Sequence, residues 1–127
     1  MRLIKDVMTR GIKTIKGDTS LAAAAKVMNE ASVRHLPVVE GANNNLVGLI
    51  SDRDIKKFVS PFALSAAASD KDKMTLNVKV EKVMTREIIK AHPSDPLKPL
   101  VEIILQKKIG CVPVIDDNDR PIGIITR

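Results

Sequence analysis

The 127-residue chain has one cysteine, no tryptophan, no tyrosine and two phenylalanines. The lone thiol, Cys111, excludes an intramolecular disulfide. The sequence also shows neither the base nor the orienting group that a nucleophilic cysteine needs. With Phe58 and Phe62 as the only aromatic residues, the core must be built from Ile, Leu, Val, Met and Ala. No apolar run approaches the ~18 residues of a membrane span and no apolar signal core opens the chain, so a cytoplasmic protein without membrane contact is expected. No set of nucleophile, base and metal ligands can be assembled, which points away from catalysis. The charge leans basic, 21 Lys and Arg against 15 Asp and Glu, and the net +6 favours anionic partners without naming one.

Against these absences stands a repeat. Val7-Met8-Thr9-Arg10 returns as Val83-Met84-Thr85-Arg86, and Leu36-Pro37-Val38-Val39 returns as Val112-Pro113-Val114-Ile115, both 76 positions on. Leu46-Val47-Gly48-Leu49-Ile50-Ser51 returns as Pro121-Ile122-Gly123-Ile124-Ile125-Thr126, 75 positions on, one residue being absent from the intervening turn. The expected organisation is repeat one over residues 1–60, a linker over 61–76 and repeat two over 77–127, the last without its final helix. Two copies of one supersecondary unit, each too small for a good core, should pack about a pseudo-twofold axis with a ligand groove between them.

Within each repeat the pattern reads β-α-β-β-α, an α+β architecture. Ile12 to Ile15 forms a short alternating strand, matched weakly by Ile88 to Ala91. Thr19 is placed to cap a helix from Leu21 to Glu30, with Asp95 and Pro96 at the same place in repeat two. Leu21, Ala24, Ala25 and Met28 share one helical face, as do Leu97, Leu100, Val101 and Ile104, and that face should be core. Pro99 should loosen the first turn of its helix. A hairpin follows in each copy, and the acidic turn Asp116-Asp117-Asn118-Asp119 reads as a hairpin turn, since it lacks the glycine and distal glutamate of a calcium loop. Pro37 and Pro113 are expected at a sheet edge or strand end. Ser51 to about Val59 reads as a second helix, and the Ala/Ser-rich stretch from Ser60 to Lys73 as a short helix running into an exposed linker.

Two motifs carry candidate chemistry. Ser51-Asp52-Arg53-Asp54, where a strand becomes a helix, is a capping box; the same hydroxyl and carboxylate can also bind a ribose diol. Arg34-His35 precedes the first hairpin, whereas repeat two has Gly110-Cys111 there, so the basic pair is not needed to build the hairpin. A guanidinium at that place can fork onto a phosphate, with His35 adding a donor. His92, before Pro93, reads as an exposed loop residue.

The paired Val-Met-Thr-Arg blocks, the apolar-Pro-apolar hairpins and Gly48-x-x-Ser51-x-x-Asp54 together resemble the cystathionine β-synthase (CBS) domain in tandem, a Bateman module, over nearly the whole chain. The resemblance implies a regulatory module that senses AMP, ADP, ATP or S-adenosylmethionine in clefts between the repeats, pairs as a homodimer and alters contact with an unidentified protein. It requires no cofactor or metal. Carried over, Ser51 and Asp54 hold the ribose, Ile50, Ile89, Ile109 and Gly110 frame the base, and Arg34 and His35 approach the phosphates. The second cleft would use Ile12, Lys13, Val33, Ile125 and Thr126. Thr126 aligns with Ser51 and Arg127 with Asp52, leaving no partner for Asp54 in the chain as given, so that cleft is expected to be impaired. Phe62 and Leu64 are candidates to cover apolar helix surface. Two other readings stand beside this one: a basic nucleic-acid-binding protein, disfavoured by the few aromatics, and a structural dimerisation module with empty clefts.

Overall fold

The computed structural model describes residues 1–59 and 69–126. Phe62 and Leu64, and with them most of the Ala/Ser-rich stretch, lie outside the described residues. The chain gathers into two compact units that cut across the sequence repeats: unit 1 is Met1–Ile12, Gly41–Leu46 and Glu87–Arg127, and unit 2 is Lys13–Glu40 and Val47–Arg86.

Unit 2 is built on a three-stranded sheet in the order β1-β2-β3, from β1 (Ile15–Lys16), β2 (His35–Glu40) and β3 (Asn45–Ser51). β1 is shorter and later than the alternating run suggested, and runs parallel to β2 with Ile15 opposite Val38. Helix α1 (Leu21–Ala31) lies between β1 and β2 in the chain, α2 (Asp52–Phe58) follows β3, and α3 (Asp70–Met74) precedes 3-10 turns at Thr75–Asn77 and Val80–Lys82. The charged residues from Asp70 on, expected as exposed linker, are therefore helical. Ser20, not Thr19, caps α1, its Oγ accepting from the Ala23 amide at 3.1 Å. Leu21, Ala24 and Met28 pack inward with Leu36, Val38, Ile50, Ile55, Val80 and Met84. Burying a leucine such as Leu21 or Leu36 contributes roughly 1.5–3 kcal/mol, so this apolar cluster is what holds the unit. Ala25, read as core, is exposed at the edge of that face.

Unit 1 contains α4 (Leu97–Lys107) and the antiparallel pair β4 (Cys111–Ile115) and β5 (Pro121–Thr126). Ala91 makes a parallel bridge to Val114, the counterpart of Ile15 opposite Val38. The core is Ile4, Met8, Ala91, Leu100, Ile104, Val112 and Val114. Val101, expected inside, is 40% exposed, as its aligned residue Ala25 is also exposed. Asp95 does not cap α4; its carboxylate accepts the His92 amide at 2.9 Å, and Pro96 is the cap residue without a side-chain bond. Pro99 leaves the helix intact because it is the third helical residue, whose amide would have had no intrahelical partner. Pro37 and Pro113 are buried inside strands, not at their ends; β2 is the central strand of its sheet, and Pro113 faces Ile124 on β5 while its carbonyl accepts the Ala91 amide at 3.0 Å. The acidic turn is organised by Asp116, whose carboxylate accepts the Asn118 and Arg120 amides at 2.9 and 3.0 Å and the Arg120 guanidinium at 3.1 Å.

Both long helices close identically. Ser32 and Lys108 take left-handed φ values of 56° and 55°, and the amide of the next residue reaches back five positions: Val33 to Met28 at 2.9 Å, Ile109 to Ile104 at 3.1 Å. This is a Schellman closure with its apolar residue against the core.

The segment leading into each repeat belongs to the core of the other. Ile4 and Met8 complete unit 1, and Val80 and Met84 complete unit 2. Thr9 bridges Ile124, and Thr85 bridges Leu49. This explains the glycine in each Gly-x-x-Ser/Thr block. A Cβ on Gly48 would collide with the Met84 thioether, and one on Gly123 would sit 2.9 Å from both Met8 Sδ and the Thr9 carbonyl.

Candidate functional site

The β3–α2 junction of unit 2 gathers most of the polar candidates. β3 ends at Ser51, whose extended backbone turns the chain into α2. The Asp54 amide donates to Ser51 Oγ at 3.1 Å, and the Ser51 amide donates to Asp54 Oδ2 at 3.1 Å. The capping box is thus formed, and both side chains are half-buried. It uses one carboxylate oxygen and the acceptor side of the hydroxyl. A carboxylate has a second oxygen and a hydroxyl a proton to offer a diol, so the structural and ligand roles are compatible.

Arg34 and His35 are brought beside this junction by one backbone bond, the Asp52 amide donating to the Arg34 carbonyl at 2.9 Å. Arg34 is exposed and His35 half-buried. Desolvation holds the His35 imidazole below the ordinary histidine range, opposed by the carboxylates of Asp52 and Asp54 and reinforced by the Arg34 guanidinium. At neutral pH His35 is therefore an uncharged donor and acceptor, and Arg34 is the cation of the pair. Asp52 was not among the sequence candidates; its charge acts on His35 together with that of Asp54 because α2 starts next to the β2 strand start.

The apolar candidates divide differently. Ile50 cannot wall a ligand with its side chain, because it is fully buried in the core of unit 2. Val33 and Ile109 are the apolar residues of the two Schellman closures, half-buried against their cores. Ile89 and Ile125 are half-buried against the core of unit 1, Gly110 is exposed at the start of β4, and Thr126 is exposed at the end of β5. Ile12 is half-buried and Lys13 exposed, at the passage of the chain from unit 1 to unit 2. Cys111 is buried, and burial pushes its thiol up to about 11, so it stays protonated and unreactive at neutral pH. His92 is exposed as expected.

A groove of about 420 Å³ lies between α1 and α2, lined by Ala25, Met28, Asn29, Ser32, Val33, Arg34, Asp52, Ile55 and Lys56. It takes in Arg34 but neither Ser51 nor Asp54. No described helix is long and apolar enough to cross a membrane.

Comparison with known proteins accounts for this duplicated plan. The CBS domain model matches residues 4–61 and 80–127, and the chain belongs to the CBS domain family as a tandem pair. It is similar to the CBS domain pair of protein MJ0100, solved in complex with 5′-methylthioadenosine and S-adenosyl-L-methionine, at 31% identity and a TM-score of 0.78 over 98% of this chain and 89% of that one. It is also similar to CBSX2 solved in complex with AMP, at 27% identity and a TM-score of 0.81, covering 100% of this chain and 91% of that one. Among curated relatives, the homoserine O-acetyltransferase of Methanococcoides burtonii is 37% identical over 96% of this chain. The chain spans only 22% of the length of that relative.

Proposed function

We propose that the chain is a non-catalytic regulatory module that senses an adenosine-containing ligand, AMP, ADP, ATP or S-adenosylmethionine. The observation that carries this reading is the Ser51–Asp54 pair, held by reciprocal 3.1 Å bonds at the β3–α2 junction with Arg34 and His35 beside it. That pair occurs in a chain whose structural neighbours include CBS pairs solved with AMP and with S-adenosyl-L-methionine. In this reading Asp54 and Ser51 hold the ribose diol and Arg34 meets phosphate. The module works in the cytoplasm as a homodimer, a reading supported by apolar side chains left on helix surfaces: Phe58 is 46% exposed, Val101 40% and Leu105 62%.

Isothermal calorimetry with AMP, ATP and S-adenosylmethionine on the wild type and on Asp54→Ala tests the site. Saturable binding that is lost in a folded Asp54→Ala protein supports it; unchanged affinity in that variant refutes the ribose assignment.

A further inference from the structure

The residue that opens the first hairpin titrates near neutrality in one repeat only. His35 starts β2, and the aligned residue at the start of β4 is Cys111, buried, with its thiol pushed up to about 11. β2 and β3 are neighbouring strands joined by a short turn, so the start of β2 lies beside the end of β3. The 2.9 Å bond from the Asp52 amide to the Arg34 carbonyl fixes that approach, and the imidazole is half-buried there. Burial is the largest influence on the ring and keeps it neutral at neutral pH. Three charges act on it besides: the carboxylates of Asp52 and Asp54 on α2 favour the imidazolium, and the Arg34 guanidinium beside it in the chain opposes it.

We propose that a phosphate-bearing ligand at this junction binds together with a proton on His35, so that falling pH favours nucleotides over ligands without phosphate. The proposal rests on the adenosine-ligand reading above and adds the regulation of that site. A phosphate paired with Arg34 neutralises the one cation that opposes the imidazolium and brings negative charge of its own, while both carboxylates stay in place. Hydrogen bonding acts in the same direction. A neutral imidazole has one donor and one acceptor, whereas phosphate and carboxylate oxygens only accept; an imidazolium donates from both ring nitrogens and serves an acceptor on each side. By linkage, a ligand that raises the affinity of His35 for a proton has its own affinity raised by that proton in the same ratio. Adenosine brings no charge, and S-adenosylmethionine has a sulfonium cation where a nucleotide has its phosphate, so neither draws a proton onto the ring.

The test uses the full chain. Its two histidines are His35 and His92, so in His92→Gln the one imidazole signal of a proton NMR titration belongs to His35. The titration midpoint should lie below the ordinary histidine range without ligand and rise by about one unit with saturating AMP, a tenfold gain in proton affinity. Adenosine should leave it in place. Calorimetry reads the reciprocal effect: between about pH 7.5 and about pH 5.5 the AMP affinity of the wild type should rise roughly three- to tenfold relative to that of His35→Gln, and adenosine affinity should not. Taking the ratio to the variant removes the phosphate's own titration, whose second step falls at about pH 6. A midpoint unmoved by saturating AMP, an equal rise with adenosine, or the same pH dependence in His35→Gln overturns the proposal. If AMP binding is nonetheless abolished by Asp54→Ala, the adenosine site stands without the proton; absence of any saturable nucleotide binding overturns both. A raised midpoint with binding that Asp54→Ala does not weaken upholds the proton linkage and refutes the ribose assignment.

Discussion

Units 1 and 2 use one hydrogen-bonding plan for two different chemistries. The Leu97 amide donates to the Arg2 carbonyl as the Leu21 amide donates to that of Val78, and Ile4 donates to Asp95 as Val80 donates to Thr19. Each sheet has a Gly beneath a lead-in Met, and each long helix ends in the same left-handed closure. Where the plan makes no demand, the copies part. At the first hairpin, unit 2 has exposed Arg34 and half-buried His35, while unit 1 has Gly110 and a buried, protonated Cys111. The β3–α2 junction carries a formed capping box. The difference teaches that the scaffold asks only for apolar residues and two glycines at fixed offsets. The polar residues at the hairpin start are free to differ, Arg34 and His35 in one copy against Gly110 and Cys111 in the other.

The crossing of lead-in segments is the part of this comparison with the largest expected effect. Ile4→Ala should destabilise by about 2–5 kcal/mol, the usual cost of emptying a buried Ile site. Its mark in amide hydrogen exchange should fall on α4 and β4, not on α1, with Val80→Ala doing the reverse. Protection lost in the mutated repeat itself would contradict the crossed packing.

Smaller, and confined to unit 2, is the effect of Asp54→Ala on ligand affinity, expected at roughly 1–3 kcal/mol for a lost charge-assisted hydrogen bond. The same change removes half of the capping box, so a melting curve should show a loss of about 1 kcal/mol or less beside it. Arg34→Gly, which installs the residue of the other copy, should weaken ATP several-fold and AMP less, leaving adenosine nearly unaffected; calorimetry with all three decides it. Equal losses across the series would mean that Arg34 does not read phosphate.

The smallest effect is in pH. The folded state holds the His35 imidazole below its unfolded value, so the unfolded chain takes up the proton first as pH falls. Stability is therefore full above the ordinary histidine range and declines as pH drops through it toward the folded value. His35→Gln should flatten that part of a melting-temperature profile between about pH 7 and pH 5.

Much of this was legible from residues alone. Periodicity showed the helices at Leu21 and Leu97 and the paired hairpins, and the Ser51-x-x-Asp54 spacing showed the capping box that the structure contains. The errors share a cause. Thr19 and Ser20 are both good caps, and only the backbone path selects Ser20. Ala25 and Val101 fit an apolar stripe, but how wide a stripe is covered depends on what packs over it. Pro37 and Pro113 read as edge residues, because the strand neighbours that bury them come from distant segments of the chain.

What the sequence by itself determined is the repeat, the family and the placement of Arg34, His35, Ser51 and Asp54, since these are carried by residue identity at fixed local spacing. Only the tertiary structure decided that Met8 and Met84 each cross to the other repeat's core and that Ile50 is withdrawn into the interior. Each of these depends on residues far apart in the chain being brought together by burial of apolar surface, and local pattern holds no record of which distant residue that will be.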